Sequence, residues 1–161
     1  MPVVTSSLSV GHAQRDGRRY VTETHTDHLG RVHEREFLAD EGTDLHALLA
    51  QHAAELDRTL RETQLGEIEQ ALFAGVNPFP PGNADFDYVS RAQALGWLMT
   101  RHIDDPAEQI VKVAPLMSAV TDAEMAALGM SSEQIAGIRA RVAAAVNIKA
   151  QIDAYNAAVG A

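Results

Sequence analysis

The sequence predicts an α+β protein, mainly α, in which an N-terminal antiparallel β-hairpin or three-stranded meander precedes a long helix and a C-terminal helical bundle. Residues 3–40 are rich in β-branched residues and contain two turn signals. From residue 45 onward, leucine and isoleucine recur at helical spacing. Of the 161 residues, 46% are hydrophobic and only 5% are aromatic, which suits closely packed, alanine-rich helices. We expect a β-hairpin region (1–42), a long helix (43–74), a proline-rich linker (75–86) and a helical region (87–161).

Two turns define the predicted strands. Asp16 and Gly17 lie between "VVTSSLSV" and "RRYVTETHTD", and this dipeptide predicts a type I′ hairpin turn. In "DHLG", Asp27 is suited to the first turn position and Gly30 to the fourth. That pattern predicts a type I turn closed by a glycine bulge.

The second turn fixes the strand register, because Asp27 then faces Arg31 and every outward step pairs the next two residues. One face of the hairpin carries the pairs His25–His33, Glu23–Arg35 and Val21–Phe37, and the other carries Thr26–Val32, Thr22–Glu36 and Tyr20–Leu38. Opposite charges and apolar partners fall across from each other, as cross-strand pairing prefers.

Both faces of this ribbon look polar except at its open end, so the tip is expected to project into solvent or onto a partner. An isolated hairpin is marginal in water, and such an element gains stability by adding to another sheet. The sequence therefore predicts a candidate interface made of Tyr20, Val21, His25, His33, Phe37 and Leu38.

The remaining elements are predicted to be helices. Thr43 or Asp44 is a suitable N-cap for the long helix, with Gly66 as a candidate bend. The stretch "GVNPFPPGNAD" ends it, because three prolines and two glycines prevent regular structure. Asp87 is the expected cap of the next helix, and "DDP" places Asp105 at a further cap with Pro106 at the first helical position.

Two capping boxes divide the C-terminal part. Thr121 with Glu124 opens a short helix that Gly129 ends. Ser131 with Gln134 opens a last helix that is expected to run to about Val159. This helix–glycine–helix pattern also matches a helix-turn-helix, whose basic residues would be Arg139 and Arg141. The formal net charge of −9 argues against a nucleic-acid partner.

No catalytic residue, cofactor or metal site is predicted. The chain has no cysteine, which excludes disulfides, thiolate metal sites and cysteine nucleophiles. His25, His28 and His33 at the hairpin tip could bind zinc, copper or nickel, but a solvent-exposed ribbon that tolerates histidine is the favoured interpretation. The carboxylates of Glu23, Glu34 and Glu36 are interpreted as a charged ribbon surface.

Neither a secretory signal nor an apolar run of membrane-spanning length is visible in the sequence, which predicts synthesis in the cytoplasm and no membrane partner.

The order of elements resembles that of small structural proteins of tailed bacteriophages. The resemblance rests on the hairpin "YVTETHTDHLGRVHEREFLA", the helix "GTDLHALLAQHAAELDRTLRE", the proline-rich break and the tail "TDAEMAALGMSSEQIAGIRARV". It implies a nonenzymatic virion component of the tail, baseplate or neck, made in the bacterial host cytoplasm. Its partners would be other virion proteins and copies of itself. A cytoplasmic assembly factor or chaperone, and a small helix-turn-helix regulator, are the alternatives.

Overall fold

The computed structural model describes residues 3–78 and 86–160. The chain divides into two compact units, residues 1–63 and residues 64–161. The predicted fold class is confirmed, since a three-stranded antiparallel sheet is followed by a long helix and further helices. Much of the predicted linker lies outside the described residues.

The sheet of the first unit has the order β1-β2-β3, formed by β1 (Val3–Ala13), β2 (Arg19–Asp27) and β3 (Val32–Ala39). Every pair predicted between β2 and β3 is present, from Tyr20 opposite Leu38 to His25 opposite His33. The DHLG turn also forms as predicted, because the amide of Gly30 donates to the carbonyl of Asp27 at 3.0 Å and Gly30 has φ +76°.

The turn between β1 and β2 lies where it was predicted, but its predicted type was wrong. A type I′ turn requires positive φ at both central residues. Here Gly17 has φ +84°, whereas no described residue other than glycine has positive φ, so Asp16 does not. The amide of Gly17 instead donates to the carbonyl of Gln14 at 3.1 Å, which places the glycine at the last turn position.

Helix α1 (Leu45–Phe73) begins at Asp44, whose Oδ1 accepts from the amides of His46 and Ala47 at 3.1 and 3.0 Å. Of the two predicted N-caps, Thr43 and Asp44, it is therefore Asp44 that caps the helix. Gly75, with φ +76°, ends the helix. Its amide donates to the carbonyl of Leu72, and the amide of Val76 donates to the carbonyl of Ala71. This paired geometry leaves few carbonyls of the last turn without a donor.

The second unit contains the last part of α1 and five further α-helices among its described residues. These are α2 (Arg91–His102), α3 (Ala107–Ile110), α4 (Ala114–Ala119), α5 (Asp122–Ala127) and α6 (Ser132–Val159). A 3-10 turn over Val111–Val113 precedes α4, and Pro115 lies in the first turn of α4. Their apolar faces form one core, which includes Leu65, Leu95, Leu98, Leu116 and Met125.

Capping explains where these helices begin. The predicted boxes of Thr121 with Glu124 and of Ser131 with Gln134 are both formed. The predicted cap at Asp87 was wrong, because Ser90 with Gln93 forms the box that opens α2. The predicted cap at Asp105 was also one residue early, since Pro106 occupies the cap position and Asp105 pairs with the ring of His102 at 2.6 Å.

Among the described residues, none of the helices has both the length and the apolar character that crossing a bilayer requires.

Candidate functional site

One face of the sheet is covered by the first part of α1, and this inner face carries a buried polar cluster. Glu23 is fully buried, and its Oε2 lies 2.7 Å from Nδ1 of His52 on α1. His25 is also buried, with Nδ1 at 2.8 Å from the hydroxyl of Ser6 on β1. The cluster therefore joins β1, β2 and α1 through side chains that are 19 and 29 residues apart in the sequence.

Asp27 anchors the turn at the end of this face. Its Oδ1 accepts from the amides of Leu29 and Arg31, each at 2.9 Å. Its Oδ2 lies 2.8 Å from Nε of Arg31 and 3.3 Å from Nε2 of His33. Since Asp27 is buried, these donors supply the hydrogen bonds that a buried carboxylate needs.

The hairpin tip, residues 28–32, is exposed, in line with one of its two expected placements, but the expectation that both faces of the ribbon behind it are solvated was wrong. Glu23, His25 and Asp27 are buried on the inner face of β2, and hydrogen-bonding partners on β1, α1 or the turn offset the cost of burying them. Glu23 lies opposite Arg35 as predicted, yet its carboxylate bonds to His52, while the guanidinium of Arg35 lies 6.0 Å from the ring centre of Phe37. The interpretation of Glu23 as part of a charged surface is corrected accordingly.

Two atoms in this cluster have no hydrogen-bond partner, Oε1 of Glu23 and Nε2 of His25. A cavity of about 240 Å³ lies beside His25, and its lining also includes His33, His52 and Glu55. The three imidazoles approach one space, but among the described residues no group of three or more potential ligands is placed to hold a metal ion.

Ser6, His25 and Glu23 have the residue types of a hydrolytic triad. The hydroxyl of Ser6 is within hydrogen-bond reach of His25, which is the nucleophile–base contact that such chemistry needs. The carboxylate is not in reach, because Nε2 of His25 lies 3.7 Å from Oε2 of Glu23. The contact between carboxylate and imidazole that would orient the base is therefore missing. The Glu23 carboxylate is hydrogen-bonded to His52 instead.

The outer face of the sheet differs in chemistry. It presents mainly hydroxyl side chains together with a few exposed apolar residues and two exposed glutamates, and its members are Thr5, Ser7, Ser9, Tyr20, Thr22, Thr24, Thr26, Val32, Glu34, Glu36 and Leu38. The six residues predicted as an interface are thus split between two faces. Tyr20 and Leu38 lie on the exposed outer face, whereas Val21 and His25 are buried on the inner one beside the partly covered His33 and Phe37. The ring of Phe37 packs edge-on against His52, at 5.6 Å between centres.

The two edges of the sheet differ in charge. Strand β1 contains no acidic residue, lysine, arginine or proline. Strand β3 contains Glu34, Arg35 and Glu36 in succession. Charged side chains on an edge strand discourage pairing with another chain, so β3 is protected by charge and β1 is not. Nothing in the sequence of β1 alone showed this, because its position at the edge depends on the sheet order.

The second unit contributes one exposed apolar stripe. Helix α6 buries Ile135, Val142 and Ala145, but none of the described residues after Ala145 is buried. Ile148, Ile152, Tyr155 and Val159 then continue at spacings of four, three and four residues. Tyr155 and Val159 are each 67% exposed. This spacing is that of a seam between two packed helices, and here one side of the seam is open.

The two arginines of the helix-turn-helix interpretation take part in packing. Arg139 pairs with Asp122 and donates to the carbonyl of Val120 at 3.0 Å. Arg141 donates to the carbonyl of Ile103 at 3.0 Å. These contacts direct both guanidinium groups toward neighbouring segments of the same unit.

No protein-family model, curated protein or solved structure matches this chain.

Proposed function

We propose that this chain is a nonenzymatic structural component of a tailed bacteriophage virion, in the tail, baseplate or neck, that acts through protein–protein contacts. The observation that carries the proposal is the combination of an unprotected strand edge at β1 with an open apolar seam on α6. Soluble proteins rarely leave apolar side chains exposed in a continuous row unless a partner covers them.

The polar cluster supports a structural role more than a catalytic one. Glu23 and Asp27 are buried and held by contacts within their own unit, and the base of the Ser6–His25 pair lacks an orienting carboxylate. Buried side-chain networks of this kind fix the position of one element on another. The cluster therefore fixes α1 to the sheet.

The test is the composition of purified particles. Virions produced by the bacterial cells that make this chain are separated on a density gradient, and the chain is quantified by mass spectrometry against a major particle protein. We expect a constant ratio across the particle fractions. A chain that stays in the lysate and is absent from particles would contradict the proposal and favour an assembly factor.

A matched pair of variants tests the α6 seam. Tyr155→Asp introduces a charge into the open stripe and should reduce incorporation at least tenfold, because a buried unpaired charge is costly at an interface. Asn156→Asp adds the same charge on a neighbouring exposed position beside the stripe and should leave incorporation unchanged. Equal incorporation of both variants would remove α6 from the proposed contact surface.

A further inference from the structure

The six residues 5–10 form the regular part of β1. They pair one-to-one with β2, from Thr5 opposite Thr26 to Val10 opposite Val21. Register shifts lie on both sides of this stretch, between Val3 and Thr5 and between Val10 and Ala13. The bulges thus bound a straight segment and do not interrupt it.

The outer edge of this segment is open and uncharged. In the part of the chain that the structure describes, β1 pairs with β2 alone. The segment reads TSSLSV, which has no charge, no proline and no glycine. Short segments of this composition pair readily when a strand edge is open, and natural proteins usually protect such edges with charge.

We propose that β1 pairs antiparallel with β1 of a second copy of this chain, which joins two three-stranded sheets into one. This inference rests on the proposed function and specifies one partner within it. Charge indicates where two copies can meet: each copy has a formal net charge of −9, which opposes contact over most of the surface, whereas the edge of β1 carries no acidic residue, lysine or arginine. Two β1 edges meet without any acidic side chain.

The alternative of β1 pairing with β3 of another copy is disfavoured. That arrangement brings Glu34, Arg35 and Glu36 to the new seam. It is also head-to-tail, because two different edges of the sheet meet. A head-to-tail contact leaves an open edge at each end and continues into a filament unless a ring closes. Pairing of β1 with itself is closed by twofold symmetry.

The pleat restricts the register. Residues that lie opposite each other must belong to the same face, because a slip of one residue exchanges the two faces. Ser6, Leu8 and Val10 lie on the inner face, opposite His25, Glu23 and Val21. Leu8 is half-buried and Val10 is 40% exposed. A register with Leu8 opposite Leu8 of the second copy brings these two half-buried apolar side chains together.

The experiment measures the solution mass of the full chain and of matched lysine variants by light scattering. The expected mass of the wild-type protein is about twice 17.4 kDa. Ser7→Lys places a charge on the proposed seam and should give a monomer. Thr24→Lys places the same charge on the same face of central β2, directly opposite Ser7, and should stay dimeric. Ser9→Lys and Thr22→Lys form a second matched pair, and circular dichroism checks that each variant is folded.

Cross-linking tests the register. The chain has no cysteine, so Leu8→Cys introduces a single thiol and should form a disulfide-linked dimer on mild oxidation. Val10→Cys is the control on the same face, since each Val10 would lie opposite Ser6 of the other copy and away from the second Val10. Cross-linking of Val10→Cys without Leu8→Cys would overturn the proposed register.

A monomeric wild-type protein, or a Ser7→Lys variant that remains dimeric, would overturn the proposed pairing. Particle composition separates this failure from that of the proposed function. A monomer found in virions at a fixed ratio refutes the self-pairing alone. A dimer that is absent from virions refutes the virion role alone.

Discussion

Nδ1 of His52 on α1 lies 2.7 Å from Oε2 of Glu23. Glu23 is on the central strand of the sheet, and its side chain is fully buried. These two residues are 29 positions apart in the sequence. Their contact connects the helix to the inner face of the sheet, beside the edge-on packing of His52 on Phe37. The hairpin is therefore stabilised within its own unit, by β1 along one edge and by α1 over one face.

Replacing His52 by alanine removes the hydrogen-bonding partner of the Glu23 carboxylate. A buried polar group left without a partner costs about 2 kcal/mol, so His52→Ala should lower the free energy of unfolding of the first unit by about that amount. The measurement is urea denaturation followed through the NMR signals of the β2 amides. His46→Ala, at an exposed position on the same helix, is the control and should change little. Equal stability of the two variants would show that the Glu23–His52 contact is unimportant for folding.

A serine-reactive fluorophosphonate should not label Ser6. Activation of a serine requires a base that is itself oriented, and Nε2 of His25 lies 3.7 Å from Oε2 of Glu23, which is too far for a hydrogen bond. The measurement is intact-protein mass spectrometry after incubation at neutral pH, with Ser6→Ala as the control. Labelling that disappears in Ser6→Ala would contradict the nonenzymatic proposal and identify a hydrolytic site.

Glu124 should make the stability of the second unit depend on pH. Hydrogen bonds from the backbone amide of Thr121, then from its hydroxyl and from the guanidinium of Arg91, lower the pKa of Glu124 to about 2, from an ordinary value of 4.5. A folded-state pKa below the unfolded one contributes stability above pH 4.5, and this contribution is lost as the pH falls from about 4.5 to about 2.

The corresponding variant is Glu124→Gln, which keeps the shape of the side chain and removes its charge. Wild-type protein should be more stable than the variant at neutral pH, and the difference should shrink as the pH falls toward 2. Unfolding of the second unit is followed by the fluorescence of Trp97, the single tryptophan of the chain. A difference that stays constant over this pH range would show that the charge of Glu124 does not stabilise the folded state.

Two glycines in the second unit should respond oppositely to the same substitution. Gly129 ends α5 with φ +86°, a region that costs an L-residue about 1 kcal/mol, so Gly129→Ala should destabilise the unit by about that amount. Gly137 lies within α6, with no atom within 4 Å of an added Cβ, and Gly137→Ala should stabilise it by about 1 kcal/mol. Thermal unfolding monitored at Trp97 compares them. Shifts of the same sign would contradict the assigned turn geometry.

The sequence predicted those parts of the fold that depend on neighbouring residues. The register of β2 against β3 followed from Asp27 and Gly30, because the turn residues themselves fix how the two strands pair. The box of Thr121 with Glu124 was predicted for the same reason, since its two partners are three residues apart.

The inner face of the hairpin could not be predicted in this way. Glu23 and His25 are polar, and a polar residue is normally placed at the surface unless its partner is known. Their partners, His52 and Ser6, lie on other elements, and only the folded chain brings them together. The open edge at β1 was missed because the order of strands decides which edge is protected.

Amide hydrogen exchange is the most direct test of the proposed assembly through the edge of β1. Exchange is measured by mass spectrometry at protein concentrations from about 1 to 100 μM. Exchange across residues 5–10 should slow as the concentration rises, while exchange in β3 stays the same. Exchange in β1 that is independent of concentration, or protection that appears in β3 instead, would rule out assembly through β1.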